Sequence, residues 1–234
     1  MDFIDSIISK QEIPGKGYGF FATETIPAST IIIKETPGIM IKRKVISSEL
    51  FELLFIVLND DKLLKQFMKL CPESLKDYRI NEKSILKELK SIKSSNLVIY
   101  KFITENFDMN DILLYCAKYM CNAFDFKGKP VILFTGTLLN HSCLPNVIFG
   151  QKDNQMHFIT TRKIMKGEEI NDSYIDITSS REQRYKELKD QYGFICKCTR
   201  CTCKENDINK YENEALKIEA KKKHMFGYSK SNKV

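Results

Sequence analysis

The sequence has no run of about 18 apolar residues, the length a helix needs to cross a bilayer, so no transmembrane helix is expected. The opening residues, Met1-Asp2-Phe3-Ile4-Asp5, are acidic and start no signal-peptide pattern, so the expected residence is intracellular, in nucleus or cytoplasm. Neither charge sign dominates: 37 basic against 30 acidic residues leave +7, a mild lysine-borne excess that reads as solvated surface. Direct nucleic-acid binding and membrane contact are therefore not expected, and Lys221-Lys222-Lys223 is too short to count as a localisation signal. The stretch 41–110 holds one cysteine and no histidine, so it cannot supply a zinc finger. The turn Gly15-Lys16-Gly17-Tyr18-Gly19 lacks the further glycine of a dinucleotide loop and the Gly-Lys-Ser/Thr ending of a phosphate loop. A tight hairpin and a ligand-contacting turn both remain open for it.

What is present can build a sizeable core: 43% of the 234 residues are hydrophobic, with 15 Phe and 10 Tyr. That length suits one large domain or one domain with an insert. Thr30–Glu35 reads as a β-branched strand that stops at Pro37-Gly38. From about 46 to 106 the pattern turns helical. Ser47-Ser48 caps an amphipathic helix, Leu63, Leu64, Phe67 and Leu70 continue at helical spacing to Cys71-Pro72, and Ile85, Leu86, Leu89 and Ile92 form another stripe. Asn110–Asn122 is a further helix. Val147–Phe149 and Met156–Thr160 form a hairpin across Lys152-Asp153-Asn154, Ile170–Ile175 is a strand, and Ser179-Ser180 caps a helix to about Gln191. Beyond Lys204 only a short helical stripe is read, with fraying after Gly227.

The densest chemistry lies in Leu138-Leu139-Asn140-His141-Ser142-Cys143-Leu144-Pro145-Asn146, just after the apolar run Val131–Phe134. Polar groups crowded beside a core segment need partners or a job, and Pro145 prevents a continuing helix. An irregular segment is expected, with Asn140 and His141 presented to a ligand and Cys143 available to a metal. Eight cysteines in an intracellular-looking chain point to metal or buried thiols rather than disulfides. Cys196-x-Cys198-x-x-Cys201 supplies three thiolates, and Zn²⁺ takes four ligands; Cys203 and Cys143 are both open as the fourth.

Several separated motifs together give a resemblance. They are the glycine turn 15–19, Asn140-His141-Ser142-Cys143-x-Pro145-Asn146, Gly167-Glu168-Glu169-Ile170 followed by Ser173-Tyr174, and Tyr192-Gly193-Phe194-Ile195-Cys196-x-Cys198-x-x-Cys201. Cys121-Asn122-Ala123-Phe124 matches more weakly. With these the chain resembles SET-domain protein lysine methyltransferases of the SMYD-type branch, without the MYND zinc finger and the helical C-terminal domain usual there. Tyr18 stands where that family often has arginine.

The resemblance implies a mixed α+β fold, mainly β: a SET-type knotted β-fold, with a helical insert at 41–110 and a zinc-binding post-SET segment at 190–203. The catalytic domain would span 1–203, leaving 204–234 as a short helical, basic tail. It implies S-adenosylmethionine, contacted by Lys16, Gly17, Tyr18, Asn122, Asn140, His141, Tyr192 and Phe194, the last as an adenine platform. Tyr174, Tyr192 and Phe124 would line the channel for a substrate lysine, with the Tyr174 hydroxyl mattering most. Among the two open ligands it favours Cys143, giving Zn²⁺ on Cys143, Cys196, Cys198 and Cys201 and leaving Cys203 spare. The implied partner is a protein carrying the target lysine, a histone tail (hence a chromatin regulator) or a non-histone protein. A catalytically weak zinc-binding interaction module on the same fold is the alternative. A zinc-ribbon nucleic-acid binder would need a second Cys/His pair and basic-aromatic interleaving, and neither is present.

Overall fold

The computed structural model describes residues 2–42, 44–76, 78 and 80–227. Short strands come first: β1 (Phe3–Ile4), β2 (Ile8–Ile13), β3 (Gly17–Ala22), β4 (Ile31–Glu35) and β5 (Ile39–Met40). Helices follow: α1 (Glu49–Leu58), α2 (Asp61–Phe67), α3 (Glu82–Ser95), α4 (Leu97–Asn106) and α5 (Met109–Asn122). The chain returns to strand in β6 (Ala123–Phe126), β7 (Lys129–Ile132), β8 (Asn140–His141), β9 (Val147–Lys152), β10 (Gln155–Thr160) and β11 (Glu169–Asp172). It closes with α6 (Arg181–Tyr192), α7 (Thr199–Thr202) and α8 (Ile208–Phe226).

The strands form three small sheets, in the orders β1-β4-β10-β9, β2-β3-β11-β8 and β5-β7-β6. The β8–β11 pair is parallel. Ile26, Ile32, Ile33, Val131, Leu133, Phe149 and Phe158 are buried between the sheets. The helices enclose a second core around Phe51, Leu53, Val57, Phe67 and Ile92. Their starts follow local chemistry. Ser48, Asp60, Asn81, Asn96 and Asp108 each accept a backbone N–H of the first turn, and Ser180 with Gln183 forms a capping box. No helix among the described residues is long and apolar enough to cross a membrane.

The mixed α+β fold stands, with more helix than strand by length among the described residues, and beyond Lys204 the chain forms a 19-residue helix rather than a short stripe. That helix packs on β9: a Cβ on Gly150 would overlap the Phe226 ring, and Lys221 Nζ donates to the carbonyls of Thr160 and Thr161. The residues after Gly227, where fraying is expected, lie outside the described residues. The strand read as Ile170–Ile175 ends at Asp172, because the Tyr174 N–H is taken by the His141 ring instead of a ladder partner.

The central motif is positioned by a buried carboxylate. Glu35, at the end of β4, accepts N–H groups of Thr135 and Gly136 at 2.8 Å each and so fixes the 3-10 turn Gly136–Leu138 ahead of β8. Burial raises its pKa from 4.5 to about 7, partly offset by the N–H donors of Thr135, Gly136 and Phe134. A folded-state value above the unfolded one means that folding takes up a proton between the two. Glu35 therefore contributes stability that is full below pH 4.5 and is lost as pH rises through 7. From this group, denaturant unfolding near pH 5 and pH 8 should differ by on the order of 2–3 kcal/mol. Glu35→Gln cannot titrate, so that part of the pH dependence should vanish; a variant that keeps the wild-type dependence refutes the assignment.

Candidate active site and cysteine centre

Parallel pairing sets Asn140 beside Asn171 and His141 beside Asp172. The Asn140 amide donates to Glu169 Oε1 at 2.9 Å and to the Tyr18 carbonyl at 3.2 Å. The glycine turn is thereby stitched to the motif. It is a β2–β3 hairpin with Gly15 and Gly17 at positive φ. At Gly19 a Cβ would lie 2.7 Å from Asn140 Nδ2 and 2.8 Å from Ile13 Cδ1, so a side chain there would displace the Asn140 amide or the end of Ile13. Lys16 Nζ reaches Glu169 Oε2 at 3.3 Å across an exposed pair that contributes little stability by itself. Tyr18 is exposed, with Lys10 Nζ 4.0 Å from its ring centre.

His141 has both ring nitrogens engaged. Nδ1 accepts the Tyr174 N–H at 3.1 Å, which puts the proton on Nε2, 3.3 Å from Cys143 Sγ. The Tyr174 hydroxyl donates to the Leu139 carbonyl at 2.8 Å, and the Tyr192 hydroxyl donates to the Tyr174 carbonyl at 3.3 Å. The Tyr174 ring lies 5.0 Å from that of Tyr192, 5.2 Å from His141 and 6.4 Å from Phe194. Burial first, then the charge of Asp172, pushes the Tyr174 pKa well above 10. Burial does the same for Tyr192, with Cys121 adding to it. Both phenols stay protonated at neutral pH.

Two of the expected site residues sit differently. Phe124 is fully buried in the main core, edge-on to Phe149 at 5.2 Å and Phe158 at 6.3 Å, and belongs to that cluster rather than to the one around Tyr174. Its β6 position points it between the sheets. Asn122 is buried, and its amide nitrogen donates to the carbonyls of Cys71 (2.6 Å) and Lys118 (2.7 Å). It ties the end of α5 to the 68–72 loop and keeps only its oxygen for a ligand.

Cys143, Cys196, Cys198 and Cys201 converge with all four sulfurs within 4.8 Å of one another, and Cys143 and Cys201 are 3.5 Å apart. A Zn–S bond of about 2.3 Å makes a tetrahedral edge of about 3.8 Å, so the donor set fits Zn²⁺. Four thiols this close titrate together: the Cys196 sulfur raises the pKa of Cys143, and the Cys143 sulfur lowers that of Cys198. A cation at the centre removes that competition. Cys203 stays outside, donating its S–H to the Arg200 carbonyl at 3.2 Å.

Residues not foreseen surround this centre. Arg184 and Arg200 are buried, and Arg200 Nη1 donates to the carbonyls of Cys143 (2.9 Å) and Ile177 (2.7 Å). The only sequence hint is an arginine between two clustered cysteines.

Comparison with known proteins follows the same lines. The SET domain family model matches residues 17–175. A SET domain-containing protein of Acanthamoeba polyphaga mimivirus is 43% identical over 199 residues, covering 84% of this chain and 78% of its own. The N-lysine methyltransferase SMYD2 of Homo sapiens is 32% identical over 153 residues, which are 62% of this chain and 34% of SMYD2, so the chain spans about a third of that relative. Among solved structures, Rubisco LSMT bound to AdoMet superposes with a TM-score of 0.60 at 15% identity, covering 84% of this chain and 53% of that one. The SET domain of LSMT bound to lysine and AdoHcy gives 0.60 at 15% identity, with 85% and 55% covered. At such identity the likeness concerns the fold alone.

The cysteine geometry makes a direct prediction. Metal analysis should find one tightly held Zn²⁺ per chain. Cys143→Ser should lose it and Cys203→Ser should keep it. Chelation should raise hydrogen exchange in residues 190–203 while circular dichroism stays near native, because the main core is apolar strand packing. Zinc-free protein, or the opposite response of the two serine variants, contradicts the ligand set.

Proposed function

Because the chain belongs to the SET-domain family, we propose that it is an S-adenosylmethionine-dependent protein-lysine N-methyltransferase. The observation that carries this reading is the fixed Tyr174 hydroxyl beside Tyr192, next to the Asn140-His141 segment. Relatives named as N-lysine methyltransferases and a shared fold captured with AdoMet, AdoHcy and lysine support it.

Bound S-adenosylmethionine would supply a methyl group on a sulfonium, transferred in line to a neutral lysine amine. The products are S-adenosylhomocysteine and N-methyl-lysine, with one proton released to solvent. The residues of this chain then have distinct tasks. Phe194, half-buried and 5.9 Å from the His141 ring, offers a π-face for the adenine. Lys16, Gly17 and Tyr18, on the glycine turn, would hold the other end of the ligand. The amide nitrogen of Asn140 is committed to Glu169 and Tyr18, so this residue and His141 would contribute backbone groups. A substrate lysine has a reference pKa of about 10.4 and must lose a proton first. Aromatic walls from Tyr174 and Tyr192 disfavour the ammonium by desolvation, and so does a neighbouring sulfonium. Since the Tyr174 hydroxyl gives its hydrogen to Leu139, its oxygen faces an incoming amine as an acceptor. With its pKa well above 10 it orients the amine rather than removing its proton. The substrate class is a protein lysine, on a histone tail or a non-histone protein.

The test is incubation with methyl-labelled S-adenosylmethionine and a mixed protein extract, followed by mapping of labelled residues. Label on lysine is the expected result. Tyr174→Phe should keep the ring and the cofactor affinity measured by calorimetry, and cut turnover by about 10–1000-fold. Full turnover in that variant, or no cofactor binding by the parent, would reject the assignment.

A further inference from the structure

A line of buried charge runs from α8 to the cysteine centre. Arg184 on α6 is fully buried. Its Nη1 donates to the Ser179 carbonyl at 2.7 Å, while Nε and Nη2 have no hydrogen-bond partner among the described residues. Burial works against the charge of this guanidinium, and the charge of the Cys143 and Cys201 sulfurs favours it. Arg200 on α7, 2% exposed, grips the Cys143 and Ile177 carbonyls with Nη1. It turns Nε and Nη2 to the two oxygens of Glu212 on α8, at 3.0 and 2.5 Å. Glu212 also lies 3.7 Å from Arg184 Nη1.

The charge balance explains the arrangement. Four thiolates around Zn²⁺ carry a net charge of −2, which is costly inside a protein without cations beside it. The Arg184 and Arg200 guanidiniums offset that charge, the second from the backbone of a ligand cysteine, and Glu212 returns one negative charge on their outer side. Neither arginine is held by the sulfurs alone, and the fork of Arg200 needs a planar acceptor. Glu212 is that acceptor, and it is brought in by a helix docked at its far end through Phe226 on Gly150 and Lys221 on Thr160 and Thr161. An exposed ion pair alone contributes little. This pair differs because the arginine side chains are 0% and 1% exposed while Glu212 is 40% exposed.

We propose that Glu212 is a positioning residue of the zinc centre: through Arg200 and Arg184 it latches α8 onto the four cysteines and sets how slowly the metal leaves. The proposal rests on the zinc reading of the centre and not on methyl transfer. By the same latch α8 keeps residues 192–201, with the aromatic wall of Tyr192 and Phe194, closed on the sheets.

The test follows zinc transfer from the purified full chain to a chromogenic chelator, after metal analysis. Glu212→Gln should release zinc about tenfold faster than wild type at low salt, in the range found for outer-shell partners of metal ligands. Glu212→Asp, which keeps the charge, should fall between them, and Glu214→Gln should match wild type. Since Glu212 is open to solvent ions, raising salt from about 0.05 to 0.5 M should speed release from wild type and leave Glu212→Gln unchanged. Release from Glu212→Gln at the wild-type rate overturns the latch while zinc binding stands. A preparation without zinc overturns both. Should Glu212→Gln not fold, wild-type release that is indifferent to salt overturns the proposal.

Discussion

An irregular segment beside a core must still satisfy each polar group it carries, and residues 139–146 do so by drawing in distant parts of the chain. The Ser142 N–H goes to the Asp172 carbonyl at 2.8 Å, and the Leu144 N–H to its neighbour's hydroxyl, Ser142 Oγ. The Asn146 side chain stands in for a strand: Oδ1 accepts the Asn171 N–H at 2.8 Å, and Nδ2 donates to the Glu169 carbonyl at 2.9 Å. The carbonyls of Leu139, Cys143 and Pro145 accept from Tyr174, Arg200 and Thr161. Apart from the Leu144–Ser142 bond, these bonds cross from the motif to other parts of the chain, three of them to β11. The glycine hairpin, β11, the loop after it and α7 are therefore fixed relative to one another by one short stretch, which is what a site assembled from remote residues requires.

His141 links the two chemistries of that stretch. One ring nitrogen accepts the Tyr174 backbone N–H while the other faces a sulfur of the cysteine centre. Protonating Nδ1 would break the bond to Tyr174. Turning the ring would take Nε2 away from Cys143. Metal ligation and the placement of Tyr174 are thus coupled through one imidazole tautomer, in the manner by which an outer-shell group orients a ligand. The Tyr192 and Phe194 wall is coupled to the same centre through the chain, lying four and two residues ahead of Cys196.

The legible features were those that local spacing encodes. Capping residues mark most helix starts, the hairpin around Asp153-Asn154 lies where its turn residues place it, and the Cys-x-Cys-x-x-Cys run points to a metal. The joining of Cys143 to that run came from family likeness, since no spacing rule connects residues 53 apart. Tertiary charge was invisible. Glu35 ends a strand pattern, and nothing in the sequence singles out Arg184 or Glu212. The burial of Glu35 and Arg184 depends on which face meets which neighbour, and α6, with only Arg184 and Leu188 buried, has too little apolar pattern to reveal its inner face. Phe124 shows the converse: an aromatic beside motif residues can be core, and only packing decides it.

The helical core takes in Ile39, Ala123 and Ile132 of the sheet β5-β7-β6, and the helical part also meets the site at the end of α5. Lys118 is buried there. Its ammonium donates to the carbonyls of Met68, Leu70 and Pro72, while Asn122, one turn on, takes the Cys71 carbonyl. An ammonium spread over three carbonyls meets all three of its donors in a place where an unpaired charge would be very costly. Burial lowers the pKa of Lys118, opposed by the charge of Cys71, Glu73 and Cys121. The neighbouring Cys121 thiol meets the Gln191 carbonyl at 3.8 Å, one residue before Tyr192. The loop 68–72, the end of α5 and the start of the aromatic wall are therefore one continuous contact. A change in how α1–α4 pack would reach Tyr192 through Lys118 and Asn122, whereas a change on their solvent face would not.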